Sequence, residues 1–173
     1  HELLGPSVRV VVPVSHQIER ELYSLYPYIK TKNVIVAYPG VHPAPYNRPL
    51  PIKISRATKR FVFVGREWKR KGLKFAVEVI DYYAARLEYC EMDIFGPTAT
   101  ELPSAYRRHP NLNIKGWIKN IPWVNYDALI HPATKEPFGM IIPEARSFGV
   151  PVLTTNLVGS TELNYRGVIA LQS

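Results

Sequence analysis

The chain has 173 residues, 46% of them hydrophobic and 21% charged, which suits a globular protein with a substantial core. No apolar run approaches the roughly 20 residues that span a bilayer, and a single cysteine, Cys90, excludes an intramolecular disulfide and a Cys-based zinc cluster. The formal net charge of +8 points to anionic partners (nucleotides, phosphosugars, nucleic acid or an anionic membrane surface) without choosing among them.

The chain begins His1-Glu2 without Met and shows no charged head followed by a long apolar stretch, so it reads as a fragment without a signal peptide. Val8-Arg9-Val10-Val11-Val12 is β-branched and predicts a buried strand. His16 to Tyr26 predicts a helix with Ser15 as its N-cap, and Val34 to Ala37 a short strand. Tyr38 to Ile54 carries five prolines and no periodicity, so residues 42–55 are assigned to a linker. These first residues are too few for a core of their own. They are expected to pack on the main domain or to belong to a larger one.

Strands are then predicted at Arg60 to Val64, Met92 to Phe95, Leu112 to Ile114, Ala128 to His131, Val152 to Thr154 and Gly167 to Leu171. Leu73 to Leu87 is the best amphipathic helix, with Phe75, Val79, Ile80 and Tyr83 near one face. Cys90 sits in a strand-like segment and is expected to be a buried, inert thiol. Short apolar strands alternating with helices predict an α/β fold, a Rossmann-like parallel sheet with helices on both faces. Ligands in such sheets bind beyond the carboxyl ends of the strands. Here those ends carry Gly65-Arg66, Gly96-Pro97, Gly116-Trp117, His131 to Gly139 and Thr155 to Thr161.

Glu136-Pro137-Phe138-Gly139-Met140-Ile141-Ile142-Pro143-Glu144 places two carboxylates with seven residues between them. Pro143 is tolerated only near a helix start, so a helix is predicted from about Gly139 or Met140. Glu136 then lies in the preceding loop and Glu144 about one turn in. Carboxylates and free N–H groups there can hold sugar hydroxyls, although acids also favour a first helical turn for its own sake. In Gly65-Arg66-Glu67-Trp68-Lys69-Arg70-Lys71-Gly72, Gly65 allows a tight turn, and Arg66 and Lys71 are suited to phosphate oxygens. Lys69 and Arg70 read as solvated charges. Ser160, in Gly159-Ser160-Thr161-Glu162, reads as a helix cap or a diphosphate contact. Trp117, with Gly116 and Ile118, reads as a nucleobase contact or as core, and His131 as a sugar contact or a satisfied core histidine.

Taken together, these pieces resemble the carboxyl-terminal, donor-binding domain of glycosyltransferase family 4 (glycosyl transferases group 1), one half of a GT-B fold. The resemblance rests on Phe63-Val64-Gly65-Arg66 with Lys71-Gly72, Ile94-Phe95-Gly96, Ile114 to Trp117, His131-Pro132, Glu136 to Ala145, Gly149 to Val152 and Gly159 to Glu162. It covers about residues 56 to 171. Residues 1–41 resemble a remnant of the amino-terminal acceptor domain, and 56–173 a nucleotide-sugar-binding domain truncated at its end. Val158-Gly159-Ser160 stands where a double glycine is commoner, and Arg146 where a small or apolar residue is usual.

The resemblance implies a retaining, metal-independent hexosyltransferase. It would take a nucleotide diphosphate sugar as donor and a glycan or lipid-linked acceptor, with no cofactor. Arg66, Lys71 and Glu136 would be catalytic. Gly65, Trp117, Ile118, His131, Phe138, Gly139, Met140, Ile141, Glu144 and Ser160 would bind the donor, with Glu144 on the ribose. It also implies a cytoplasmic enzyme, peripheral at a membrane where the acceptor requires it, and an inactive isolated fragment. Glu91-Met92-Asp93 looks superficially like the acid-x-acid metal site of the other large glycosyltransferase fold, but it lies within a strand and is expected to bind no metal. A GT-B epimerase of nucleotide sugars and a non-catalytic nucleotide or nucleic-acid module are the alternatives. No nucleic-acid-binding motif is present, so that partner is not expected.

Overall fold

The computed structural model describes residues 5, 7–41, 58–86 and 89–172. The predicted linker, residues 42–55, lies outside the described residues. From Lys59 onward the chain builds a sheet of six parallel strands: β3 (Lys59–Val64), β4 (Cys90–Phe95), β5 (Leu112–Gly116), β6 (Ala128–His131), β7 (Val152–Thr155) and β8 (Val168–Leu171). The order across it is β5-β4-β3-β6-β7-β8. The first three strands run outward one way from β3 and the next three the other way. This is the Rossmann arrangement, with its topological switch between β3 and β6.

Period-2 alternation divides the core between the two faces of the sheet. Val62, Phe95, Leu129 and Val152 pack on one side with Trp123, Ile142 and Ala145. Phe63, Met92, Ile94 and Ile130 pack on the other with Leu73, Ala76, Val77 and Ile80. Helix α2 (Leu73–Ala84) therefore covers one face and α4 (Ile141–Ser147) the other, with the short α3 (Ser104–Arg107) between β4 and β5. The apolar residues that the strands present to both faces are why they read so clearly in the sequence.

The face predicted for α2 needs correction. Ile80 is buried and Val79 packs against the core as predicted, but Phe75 is 45% exposed and Tyr83 is exposed too, and Leu73, Ala76 and Val77 complete the buried face. Both stripes have helical spacing, and the smaller residues are the ones that fit against the sheet. Gly72 starts the helix at φ 79, and a Cβ there would collide with the carbonyl of Pro132. A glycine is needed because the loops after β3 and β6 touch at this point.

The amino-terminal part holds β1 (Val10–Val11), α1 (His16–Leu25) and β2 (Asn33–Val34), with β1 and β2 paired in parallel. The buried strand predicted at Val8 to Val12 is cut to two residues, and Val10 and Val12 are exposed. A two-stranded ladder has no second layer of described residues to cover it. Ser15 caps α1 as predicted, its Oγ accepting from the Ile18 N–H at 3.2 Å. Cys90 is buried, and burial pushes its thiol pKa up. Among the described residues no helix is long and apolar enough to cross a membrane.

Candidate donor-binding site

The carboxyl ends of β3 and β6 meet at the switch point, and a charged cluster is assembled there. The loop after β3 turns back so that the Lys71 side chain lies against Gly65, where a Cβ would collide with it. Gly65 is thus required for close approach rather than for a turn. Lys71 Nζ then reaches Glu136 Oε2 at 2.9 Å. Arg70 Nη1 reaches the same oxygen at 3.1 Å and also donates to the Lys135 carbonyl. Arg70 Nε pairs with Glu67 at 2.8 Å. The Glu67 partner, more than Glu136, pushes the Arg70 pKa up. The Thr134 N–H donates to the Arg70 carbonyl at 3.0 Å, tying the two loops together. The solvated Arg70 expected from the sequence is instead a central member of the site.

Glu136 is held by its backbone. Its N–H donates to Leu157 O at 3.1 Å, and its carbonyl accepts from Gly159 N–H at 3.0 Å, forming a parallel bridge between Glu136 and Val158. The chain then turns at Gly139, φ 81, where a Cβ would lie 2.6 Å from Val158 Cγ1 and 3.2 Å from Glu136 Cγ. No backbone N–H of Phe138, Gly139 or Met140 donates to the described chain. Helix α4 begins two residues after Gly139, at Ile141, with Glu144 in its first turn. Glu144 Oε1 accepts from Trp123 Nε1 at 3.1 Å.

Three expected residues are placed differently from their simplest readings. Ser160 is not a cap. The 3-10 turn Gly159–Leu163 has Val158 as its N-cap without a side-chain bond, and the Ser160 Oγ is buried without a partner. His131 is buried, but neither ring nitrogen has a partner among the described residues. Burial, reinforced by the Lys71 and Arg70 charges, pulls its pKa down to about 3, so the ring is neutral at pH 7. Trp117 is 76% exposed, which removes the core reading; it stands with Ile118 on the loop after the edge strand β5, two strands from β3. Arg66 is exposed at the mouth of the β3 loop, and no ion pair joins it to another described residue.

The site thus brings together Gly65, Lys71, His131, Glu136, Phe138, Gly139 and Ser160. Arg70 completes it and was not foreseen as a site residue.

Comparison with known proteins agrees with this fold. Residues 58–171 match the family model for glycosyl transferases group 1. The chain belongs to this family. Its fold is one half of a GT-B glycosyltransferase. WaaG, a glycosyltransferase involved in lipopolysaccharide biosynthesis, superposes with a TM-score of 0.75 at 19% identity, over 96% of this chain and 50% of WaaG. The pneumococcal O-GlcNAc transferase GtfA, solved with UDP and GlcNAc, gives 0.67 at 16% identity over 96% of this chain and 35% of GtfA. An uncharacterized 41.2 kDa protein in the cps region of Klebsiella pneumoniae is 26% identical over 123 residues, covering 69% of this chain. The chain spans about a third of that relative's length and half of WaaG's.

Proposed function

We propose that this chain is the donor-binding half of a retaining glycosyltransferase that moves a hexose from a nucleotide diphosphate sugar to a glycan or lipid-linked acceptor. The observation that carries the reading is the convergence of Lys71 and Arg70 on Glu136 at the sheet's switch point, beside a buried neutral His131. As the bond from the anomeric carbon to the leaving phosphate breaks, negative charge grows on the diphosphate. Lys71 and Arg66 would stabilise it there, and fixed cations of this kind are often the largest electrostatic term in transfer. Glu136 would accept hydrogen bonds from the hexose hydroxyls, and Glu144 from the ribose. Trp117 and Ile118 would meet the base. Protein cations would replace a metal, and no cofactor would take part. GtfA, captured with UDP, favours a uridine donor. In this reading the enzyme works in the cytoplasm, at a membrane surface where the acceptor is lipid-linked. Residues 1–41 and 42–55 would be the acceptor-domain remnant and the linker.

Calorimetric titration with UDP, GDP and their sugars, with and without EDTA, tests the reading. Binding that survives EDTA is expected. Arg66→Ala and Lys71→Ala should each weaken nucleoside diphosphate binding at least tenfold and nucleoside binding little. No binding of any nucleotide at millimolar concentration would sink the proposal, and equal loss for both ligands would remove the phosphate role.

A further inference from the structure

Residues 15–38 sit against the two loops that frame Glu136, and one carboxylate makes the central contact. A helix leaves its first N–H groups without intrahelical partners. Ser15 meets one of them, that of Ile18. The N–H groups of His16 and Gln17 are met from the far end of the chain, donating to Glu162 Oε2 at 2.8 Å and Oε1 at 2.7 Å. Both oxygens are engaged, and the anion lies at the positive end of the helix dipole. The Tyr38 hydroxyl adds a bond to Oε2 at 3.3 Å, and Arg20 Nη2 stands 3.6 Å from Oε1.

Glu162 belongs to the turn Gly159–Leu163, whose first residues hold the Glu136 loop. Gly159 N–H donates to Glu136 O at 3.0 Å, and Ser160 N–H to Phe138 O at 2.8 Å. From the other side Ser15 Oγ donates to Pro137 O at 2.7 Å. The Tyr38 and Phe138 ring centroids are 6.1 Å apart. A Cβ at Gly159 would lie 2.7 Å from Ser15 Oγ, so nothing larger than glycine fits between helix and loop. Helix start, turn and loop interlock.

We propose that Glu162 is a positioning residue. It locks the N-terminus of α1 onto the turn 159–163 and so holds the Glu136 loop in place against the amino-terminal segment. Its consequence for the donor rests on the function proposed above.

Amide hydrogen exchange of the whole chain, read by NMR for wild type, Glu162→Gln and Glu162→Ala, tests it. Exchange at His16 and Gln17 should be at least tenfold faster in Glu162→Ala and intermediate in Glu162→Gln, which keeps one acceptor oxygen. Amides of Glu136, Gly159 and Ser160 should follow, while those of β3 and β4 stay unchanged. In calorimetry, affinity for a nucleotide diphosphate sugar should fall at least threefold more than affinity for the nucleoside diphosphate alone. Unchanged exchange at His16 and Gln17 overturns the lock. Faster exchange with an unchanged affinity ratio reduces Glu162 to a contact of the fold and overturns its positioning role. If wild type binds no nucleotide, the donor reading fails by itself, and the Glu136 amide still decides whether Glu162 holds the loop. Where Glu162→Ala does not fold, Glu162→Asp reads the same amides: threefold faster exchange upholds the lock, and none overturns it.

Discussion

Asp93, in strand β4, and Glu136, in the loop after β6, are both carboxylates among cations, and they differ in what remains unused. Asp93 Oδ2 accepts from the Tyr126 hydroxyl at 2.9 Å and Oδ1 from Asn113 Nδ2 at 3.0 Å, with Arg60 and Lys115 at 3.5 and 3.8 Å. Glu91, two residues back on the same face, takes Arg60 Nε at 2.7 Å. Burial first, and the Asp93 bond second, push the Tyr126 pKa well up, so its hydroxyl remains a donor. Glu136 instead has both of its cations on Oε2, and no described residue bonds to Oε1. Near it the His131 ring nitrogens and the Ser160 Oγ are buried without partners among the described residues. Asp93 has both carboxylate oxygens engaged and ties strands together, although Arg60 Nε beside it makes no aligned hydrogen bond to a described residue, whereas Glu136 at the switch point keeps one oxygen that a ligand's donors can use.

The contrast can be broken by measuring stability. Asp93→Ala strips a buried acceptor, 5% exposed, from Arg60, Tyr126 and Asn113. Removing one partner of such a pair is expected to cost about 3 kcal/mol in urea unfolding. A cost below about 1 kcal/mol would mean that the network is solvated and structurally idle.

His131 gives the next effect, and its sign follows from the depressed pKa. An unfolded histidine titrates near its ordinary value of 6.5, the folded ring near 3. Between these values the unfolded chain takes up a proton that the folded chain refuses. Stability from this group is therefore complete above pH 6.5 and falls as the pH drops toward 3. The slope is at most about 1.4 kcal/mol per pH unit. His131→Leu should thus gain about 2 kcal/mol on wild type between pH 7.5 and pH 5, comparing urea midpoints at the two values. An equal difference at both pH values would show the folded ring protonated, and the pocket around it open to water.

The two regions were not equally legible beforehand. All six main strands could be read, because each carries a short apolar run bounded by turn residues, even where the strand also holds Arg60, Asp93 or Asn113. The Ser15 cap was legible because its signal is local. The α2 face was not, since Phe75 and Val79 repeat with the same period as Leu73, Val77 and Ile80. Arg70 was hidden among four basic residues in the six positions 66–71, and only the return of the β3 loop over Gly65 selects it for Glu136. Glu162 was visible as an acid after a glycine turn. Its partners, His16 and Gln17, are backbone amides about 145 residues away, and no side-chain pattern marks those.

The smallest stability effect is expected at Glu136 itself. Glu136→Gln leaves Lys71 and Arg70 facing each other without their carboxylate, yet their side chains are 19% and 34% exposed, so water can take over much of the solvation. A cost of about 1 kcal/mol or less is expected, well below that of Asp93→Ala, as for groups whose arrangement serves a ligand more than the fold. Inorganic pyrophosphate should then stabilise this variant more than wild type, because the anion replaces a charge the site has lost. If Glu136→Gln instead costs as much as Asp93→Ala and pyrophosphate restores nothing, the two carboxylates are the same kind of structural pair. Lys71 and Arg70 would then be bound to the fold and could not act on a diphosphate.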